Sequence, residues 1–262
     1  MSNSINHALI EALSSGALDV VDLTETLTPS YPIISLPPEF KQASPFVKEE
    51  ISRYDENGPA WYWNNITLSE HTGTHFDAPI HWVTGRDLDE NAVDTIPVRN
   101  FIAPVNVVDC SAEVKNDPGF ILTKDFLLKW EGENGVIEEN SWVFLRSDWR
   151  KIADPENYTN MKDDGAHSPG PDTEAVLWLL EERNVIGFGT ENIGTDAGQA
   201  FLFEPQYPCH HYMHGAGKYG LQCMTNLDQL PARGAVIIAA PLKIEDGSGS
   251  PLRVLALVPK TS

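Results

Sequence analysis

Along most of this chain apolar and polar residues alternate or bunch into short runs, and only a few stretches carry a helical period. Ile5, Leu9, Ile10 and Leu13 recur at spacings of three to four and predict a short first helix. The strongest helical pattern runs from Glu174 to Arg183, where Val176, Leu177, Leu179 and Leu180 mark one face and Asp172 or Thr173 can cap the start. Thr123 can cap another helix through Trp130. Strand candidates are more numerous: Leu18 to Leu23, Val47 to Tyr54, Trp61 to Leu68, Phe101 to Val108, Ser141 to Arg146, Val185 to Gly189, Gly220 to Met224, Ala235 to Ala240 and Leu252 to Val258. Pro104 inside one of them points to an edge or a bulge, and four prolines between Thr28 and Pro38 demand an irregular loop. Strands outnumber helices, and the helix ending at Arg183 feeds directly into a strand. The pattern therefore predicts an α/β fold, a mixed sheet with a few covering helices.

No internal repeat, low-complexity tract or linker divides the 262 residues, so one domain over 1–262 is expected. The balance of 38 acidic against 18 basic residues, a formal charge of −20, repels phosphate backbones and anionic lipid, and argues against nucleic acid and membrane partners. The first twenty residues have neither a basic start nor a sustained apolar stretch, so no secretion signal or membrane span is expected. Cys110, Cys209 and Cys223 are odd in number and widely spaced, which suits a reducing cytoplasm better than a disulfide framework.

The segment Ser69 to Trp82 holds three imidazoles, Asp77 and two chain breakers, a density that packing does not require. A bend at Gly73 can bring His71, His75 and Asp77 onto a single cation. Two imidazoles and one carboxylate suit Mn, Zn or Fe(II) and leave positions open for water and substrate. Pro79 stiffens the exit and places His81 near the metal but outside its ligands, where a free imidazole can take a proton from water. Downstream, His210, His211, His214, Gln222 and Thr225 form a second polar group, although spacing does not say which of them faces the first. Gly215-Ala-Gly217 is not a dinucleotide fingerprint, no G-x-S-x-G elbow is present, and Cys223 has no local activating partner.

The stretch His71-Thr-Gly-Thr-His75-Phe-Asp77-Ala-Pro-Ile-His81-Trp resembles the HxGTHxDxPxHF signature of the metal-dependent cyclase family, which includes bacterial kynurenine formamidases and isatin hydrolases. Arg146-Ser-Asp-Trp149, Gly187 to Asp196, Gln222 to Pro231 and Gly249 to Arg253 are similar to further family segments, so the resemblance spans most of the chain. It implies a swivelling β/β/α cyclase-like fold, metal ligands His71, His75 and Asp77, a catalytic base His81, and a homodimer in which aromatics of one subunit line the other's pocket. His210, twelve residues before Gln222, matches the downstream family histidine. Where kynurenine formamidases carry a glutamate that helps hold a second zinc, this chain has neutral Gln222, which favours one cation. That pattern is similar to isatin hydrolase, with a single manganese, and zinc is the alternative. The expected activity is hydrolysis of a small aromatic amide, opening the lactam of isatin to isatinate; deformylation of N-formylkynurenine is the rival. Trp61 and Trp63, with Phe40 or Phe46, could clamp a flat ring, His210 and Gln222 could orient the dicarbonyl, and Cys223 stands where a proton path could run.

Overall fold

A computed structural model describes residues 4–260 of the chain; residues 1–3 and 261–262 of the expected domain lie outside it. Among the described residues thirteen strands follow in chain order: β1 Leu18–Asp22, β2 Val47–Asp55, β3 Gly58–Thr67, β4 His75–Asp77, β5 Ile102–Asp109, β6 Ile121–Leu122, β7 Trp142–Arg146, β8 Gly170–Pro171, β9 Gly187–Thr190, β10 Tyr219–Gln222, β11 Ala235–Ile238, β12 Gly249–Pro251 and β13 Leu255–Pro259. Nine of them form one mixed sheet in the order β1-β13-β11-β5-β7-β9-β10-β4-β12. Its centre, β5-β7-β9-β10, is parallel, and both flanks are antiparallel.

The central strands are buried on both faces, which is why they read as apolar runs. In β7 the period of two sends Trp142 and Phe144 into one apolar cluster and Val143 and Leu145 into the other. The first cluster is closed by the curl of the sheet and by Val93, Ile96 and Phe101. The second lies under the helices Lys124–Asn134 and Thr173–Glu181, which contribute Leu127, Trp130, Ala175, Val176 and Leu179. Both helices start at the predicted caps: Thr123 accepts from the Phe126 N–H at 3.3 Å, and Asp172 from that of Ala175 at 2.7 Å. Pro104 lies in an interior strand. It is tolerated because pairing with β7 begins only at Val105, so at Pro104 the strand is locally an edge.

The strand predicted over Trp61 to Leu68 leads straight into the His cluster, which puts the ligands at its end; the sheet pairing corrects this. The strand that carries the His cluster is not the long one before it: β3 pairs only with β2 in a separate hairpin, whereas β4, three residues long, threads between β10 and β12 in the main sheet. So short a strand, bounded by Gly73 and Pro79, leaves no readable period. The helix Ile5–Ser15 forms, capped by Ser4 and by Gly16 in the left-handed region (φ 72°), but none of its residues is buried and its apolar stripe stays exposed. Among the described residues no helix is long and apolar enough to cross a membrane.

Candidate metal and hydrolytic site

Alternation along β4 turns Phe76 into the core and His75 and Asp77 to the opposite face. The register sets Gln222 of β10 across from His75, and places glycines, Gly220 and Gly249, beside Asp77 on both neighbouring strands. A Cβ at Gly220 would stand 2.9 Å from Asp77 Oδ2, and one at Gly249 would stand 2.5 Å from His71 Cε1. Both glycines therefore leave room that the functional side chains occupy. Gly73 supplies the bend before β4 at φ 65°, where a side chain would also strike Leu27.

Both imidazoles next to Asp77 have their outer nitrogen tied down. His75 Nδ1–H donates to the Gly73 carbonyl at 2.7 Å, so its Nε2 lone pair faces Asp77 Oδ1 at 3.4 Å. His71 Nε2–H donates to Ser248 Oγ at 2.9 Å, and that hydroxyl donates to Glu70 at 2.7 Å. This leaves His71 Nδ1 facing the same Oδ1 at 2.8 Å. Three electron-rich atoms thus converge in a buried place. They repel one another unless a proton or a cation lies between them, and the two distances to Oδ1, 2.8 and 3.4 Å, reach up to the ~3.4 Å expected of tetrahedral ligands about 2.1 Å from a metal. Burial, opposed by Asp77, lowers His75 to about 4 and keeps it neutral. For Asp77 burial acts upward, but the surrounding imidazoles of His75, His81 and His71 outweigh it and hold the carboxyl well below its usual range.

His81 lies at the end of the short turn Pro79–His81, its ring 3.9 Å from that of His71 between centroids. Burial lowers it to about 2 against the pull of Asp77, so it offers a lone pair at neutral pH. Ligand atoms of His71, Asp77 and His81 fall within 4.8 Å of one another, and so do those of Asp77, His210 and His214. The two histidines of the second group come from one π-helical turn, His210–His214, which sets them on one side facing Asp77 of β4. His210 Nδ1–H donates to Asp196 at 2.5 Å, and its Nε2 lies 3.9 Å from Asp77 Oδ2. Burial acts downward on His210, but Asp196 outweighs it and raises the group, so His210 holds its proton more firmly than a free imidazole. Gln222 donates to Asp77 Oδ2 from the neighbouring strand.

The fold brings His71, His75, Asp77, His81, His210 and Gln222 together at this one place. Trp61 and Trp63 do not reach it from within the same chain. They stand half exposed on β3, whose last residue is about 13 Å of extended chain beyond Trp63. Phe40 is exposed and Phe46 half-buried. Trp82 and Tyr207 are the aromatics beside the site, with ring centroids 4.9 Å from His210 and 5.9 Å from each other respectively. His211 turns away against Tyr212, and the Thr225 N–H bonds the Leu23 carbonyl. Cys223 is buried in the left-handed region at φ 53°; burial pushes its thiol up to about 12, so it keeps its proton. Asp196, Ser248, Gly220 and Gly249 escape a sequence reading because they come from loops and neighbouring strands that meet the His cluster only once the chain has folded. The 4.8 Å grouping around His214 belongs with them.

The residues 21–197 match the model of the Cyclase family. Isatin hydrolase of Roseibium aggregatum is 50% identical over 250 residues, covering 95% of each chain. Kynurenine formamidase of Salinibacter ruber is 26% identical, over 78% of this chain and 84% of its own. Among solved structures, isatin hydrolase A from Ralstonia solanacearum superposes with a TM-score of 0.96 at 57% identity, covering 98% of both chains. An isatin hydrolase bound to the product analogue thioisatinate superposes with a TM-score of 0.96 at 49% identity, covering 99% of this chain and all of that one.

Proposed function

We propose that this chain, which belongs to the Cyclase family, is a metal-dependent amidohydrolase that opens the lactam ring of isatin to isatinate. The observation that carries the chemistry is the convergence of His71 Nδ1 and His75 Nε2 on the buried Asp77 Oδ1. The substrate comes from the relatives: the 50% identical protein is an isatin hydrolase, and a solved neighbour holds thioisatinate.

His71, His75 and Asp77 are the proposed ligands, a set that fits a borderline divalent ion, manganese in this reading with zinc as the alternative. Such a cation, when bound, supplies Lewis acidity toward the amide carbonyl and acidifies water. His81 takes a proton from the attacking water as the C–O bond forms. It returns that proton to the ring nitrogen as the C–N bond breaks, so the nitrogen leaves as a neutral aniline. His210, whose hold on its proton Asp196 strengthens, directs Nε2 toward a substrate carbonyl and in its protonated form donates to it, and Gln222 steadies Asp77 while facing the same space. Gln222 spends its N–H on Oδ2, the Asp77 oxygen that faces His210, which favours a single cation on the Oδ1 side.

The half-exposed Val47, Trp61, Trp63 and Ile66 of the hairpin, with the uncovered helix Ile5–Ser15, favour a homodimer in which Trp61 and Trp63 of a second copy complete the ring-binding wall. A cytoplasmic setting agrees with three buried thiols and no disulfide among the described residues. Cys223, which holds its proton, is a candidate for relaying protons only through its S–H.

The rival reading is deformylation of N-formylkynurenine, and the second donor group, Asp77, His210 and His214, is the feature that favours it, since it offers ligands for a second cation. Metal analysis of the purified protein, paired with assays of isatin ring opening and N-formylkynurenine deformylation, decides between them. One manganese per chain with turnover of isatin is the expected outcome. Two zinc ions and no isatin turnover would sink the reading.

A further inference from the structure

His214 is 1% exposed, and its Nε2 is among the few buried polar side-chain atoms with no partner among the described residues. The other ring nitrogen is committed: Nδ1–H donates to the Lys218 carbonyl at 3.1 Å, and a carbonyl can only accept. In the neutral ring, which burial favours by lowering His214 to about 4, Nε2 is then an acceptor with nothing to accept from. A buried acceptor left unpaired costs ~1–3 kcal/mol, so Nε2 is a place where an incoming donor gains a partner.

The surroundings limit what that donor is. The rings of His81 and His210 flank His214 at 6.0 and 5.4 Å between centroids. Gln222 donates to Asp77, His71 to Ser248, His75 to Gly73 and His210 Nδ1 to Asp196. Those protons are committed, which leaves His210 Nε2–H and the group that reacts beside His81 as donors, and in the function proposed above His210 Nε2–H faces a substrate carbonyl. If the function proposed above holds, that group is a lactam, which carries two carbonyl acceptors and one donor, the N–H of the bond that breaks.

We propose that His214 Nε2 accepts a hydrogen bond from the N–H of the scissile amide. It thereby turns the nitrogen lone pair toward His81 as that nitrogen pyramidalises, and selects substrates that carry the N–H. No bond is made or broken by His214 itself; the proton delivered to the nitrogen still comes from water through His81. The acceptor strengthens its hold as the nitrogen acquires its second hydrogen, so the contact favours the transition state over the bound ground state.

The test is a set of four kcat/KM values, for the wild type and His214→Leu on isatin and on N-methylisatin, with metal content measured on both proteins. The variant should lose about 10–100-fold on isatin, change less than about 3-fold on N-methylisatin, and keep its metal. His214→Gln, whose Oε1 can accept at nearly the same place, should recover part of the isatin rate. Should His214→Leu not fold, His214→Phe keeps the ring volume and carries the same comparison. Equal losses on both substrates would overturn the inference, and so would a fall in bound metal, which would make His214 a ligand. A wild type that opens neither compound removes the isatin reading itself, a result distinct from the failure of His214 alone.

Discussion

Glu191 allows a prediction whose size follows from its surroundings. The residue is 2% exposed, and its carboxylate accepts from the Ser147 N–H at 2.7 Å and the Ser147 hydroxyl at 3.1 Å. Burial is the largest influence and raises the carboxyl from 4.5 to about 7; the Ser147 bonds pull the other way, and nearby Asp148 adds to the rise. Because the folded value lies above the unfolded one, the folded state holds more protons between them. Stability therefore falls as pH rises through that window, the reverse of a salt-bridged carboxylate. A shift of about 2.5 units at ~1.36 kcal/mol each amounts to roughly 3 kcal/mol lost by pH 8 relative to pH 4. Glu191→Gln keeps an acceptor for Ser147 and cannot ionise. Denaturant unfolding from pH 5 to 8 should show the variant similar to the wild type at the acid end and increasingly more stable toward pH 8, by up to about 3 kcal/mol. Parallel curves across the range would refute the argument. The consequence reaches the site, because Glu191 opens the loop that ends at Asp196, the group that orients His210.

Three further outcomes follow from the site. His81→Ala should lower kcat by about 10²–10⁴-fold while metal content stays at the wild-type value; metal lost with the ring would make His81 a ligand. Gly220→Ala forces a methyl to within 2.9 Å of Asp77 Oδ2 and should weaken metal binding about 10–100-fold in a calorimetric titration, with unchanged affinity counting against the crowding argument. Gln222→Glu restores a charge beside His210 and His214 and should raise bound zinc from one toward two per chain, with a melting temperature that drops more in chelator than the wild type's; one zinc in both proteins would show that charge at this position does not govern the count.

Much of the chemistry was legible in the sequence because it is local. His71, His75, Asp77 and His81 fall within one bend and one short strand, so their spacing alone suffices to bring two imidazoles and a carboxylate together. The helix caps at Thr123 and Asp172 and the apolar runs of β5, β7 and β9 were equally readable, since each rests on neighbours in the chain or on burial of both faces of a strand. Gln222 could be singled out by type, yet its contact with Asp77 could not. β4 has too few residues to reveal itself, and its pairing with β10 and β12 decides that Gln222, Gly220 and Gly249 surround the ligands. Sequence reading also proposed Trp61 and Trp63 for the aromatic wall; within one chain Trp82 and Tyr207 stand beside His210, while β3 pairs only with β2, so Trp61 and Trp63 can join that wall only from a second copy. The sequence by itself determined which imidazoles and carboxylate one bend can gather. Tertiary structure decided which nitrogen of each imidazole faces inward, because that depends on acceptors such as the Lys218 carbonyl, Asp196 and Ser248, and hydrogen bonds to such groups form only once the strands and loops that carry them have packed.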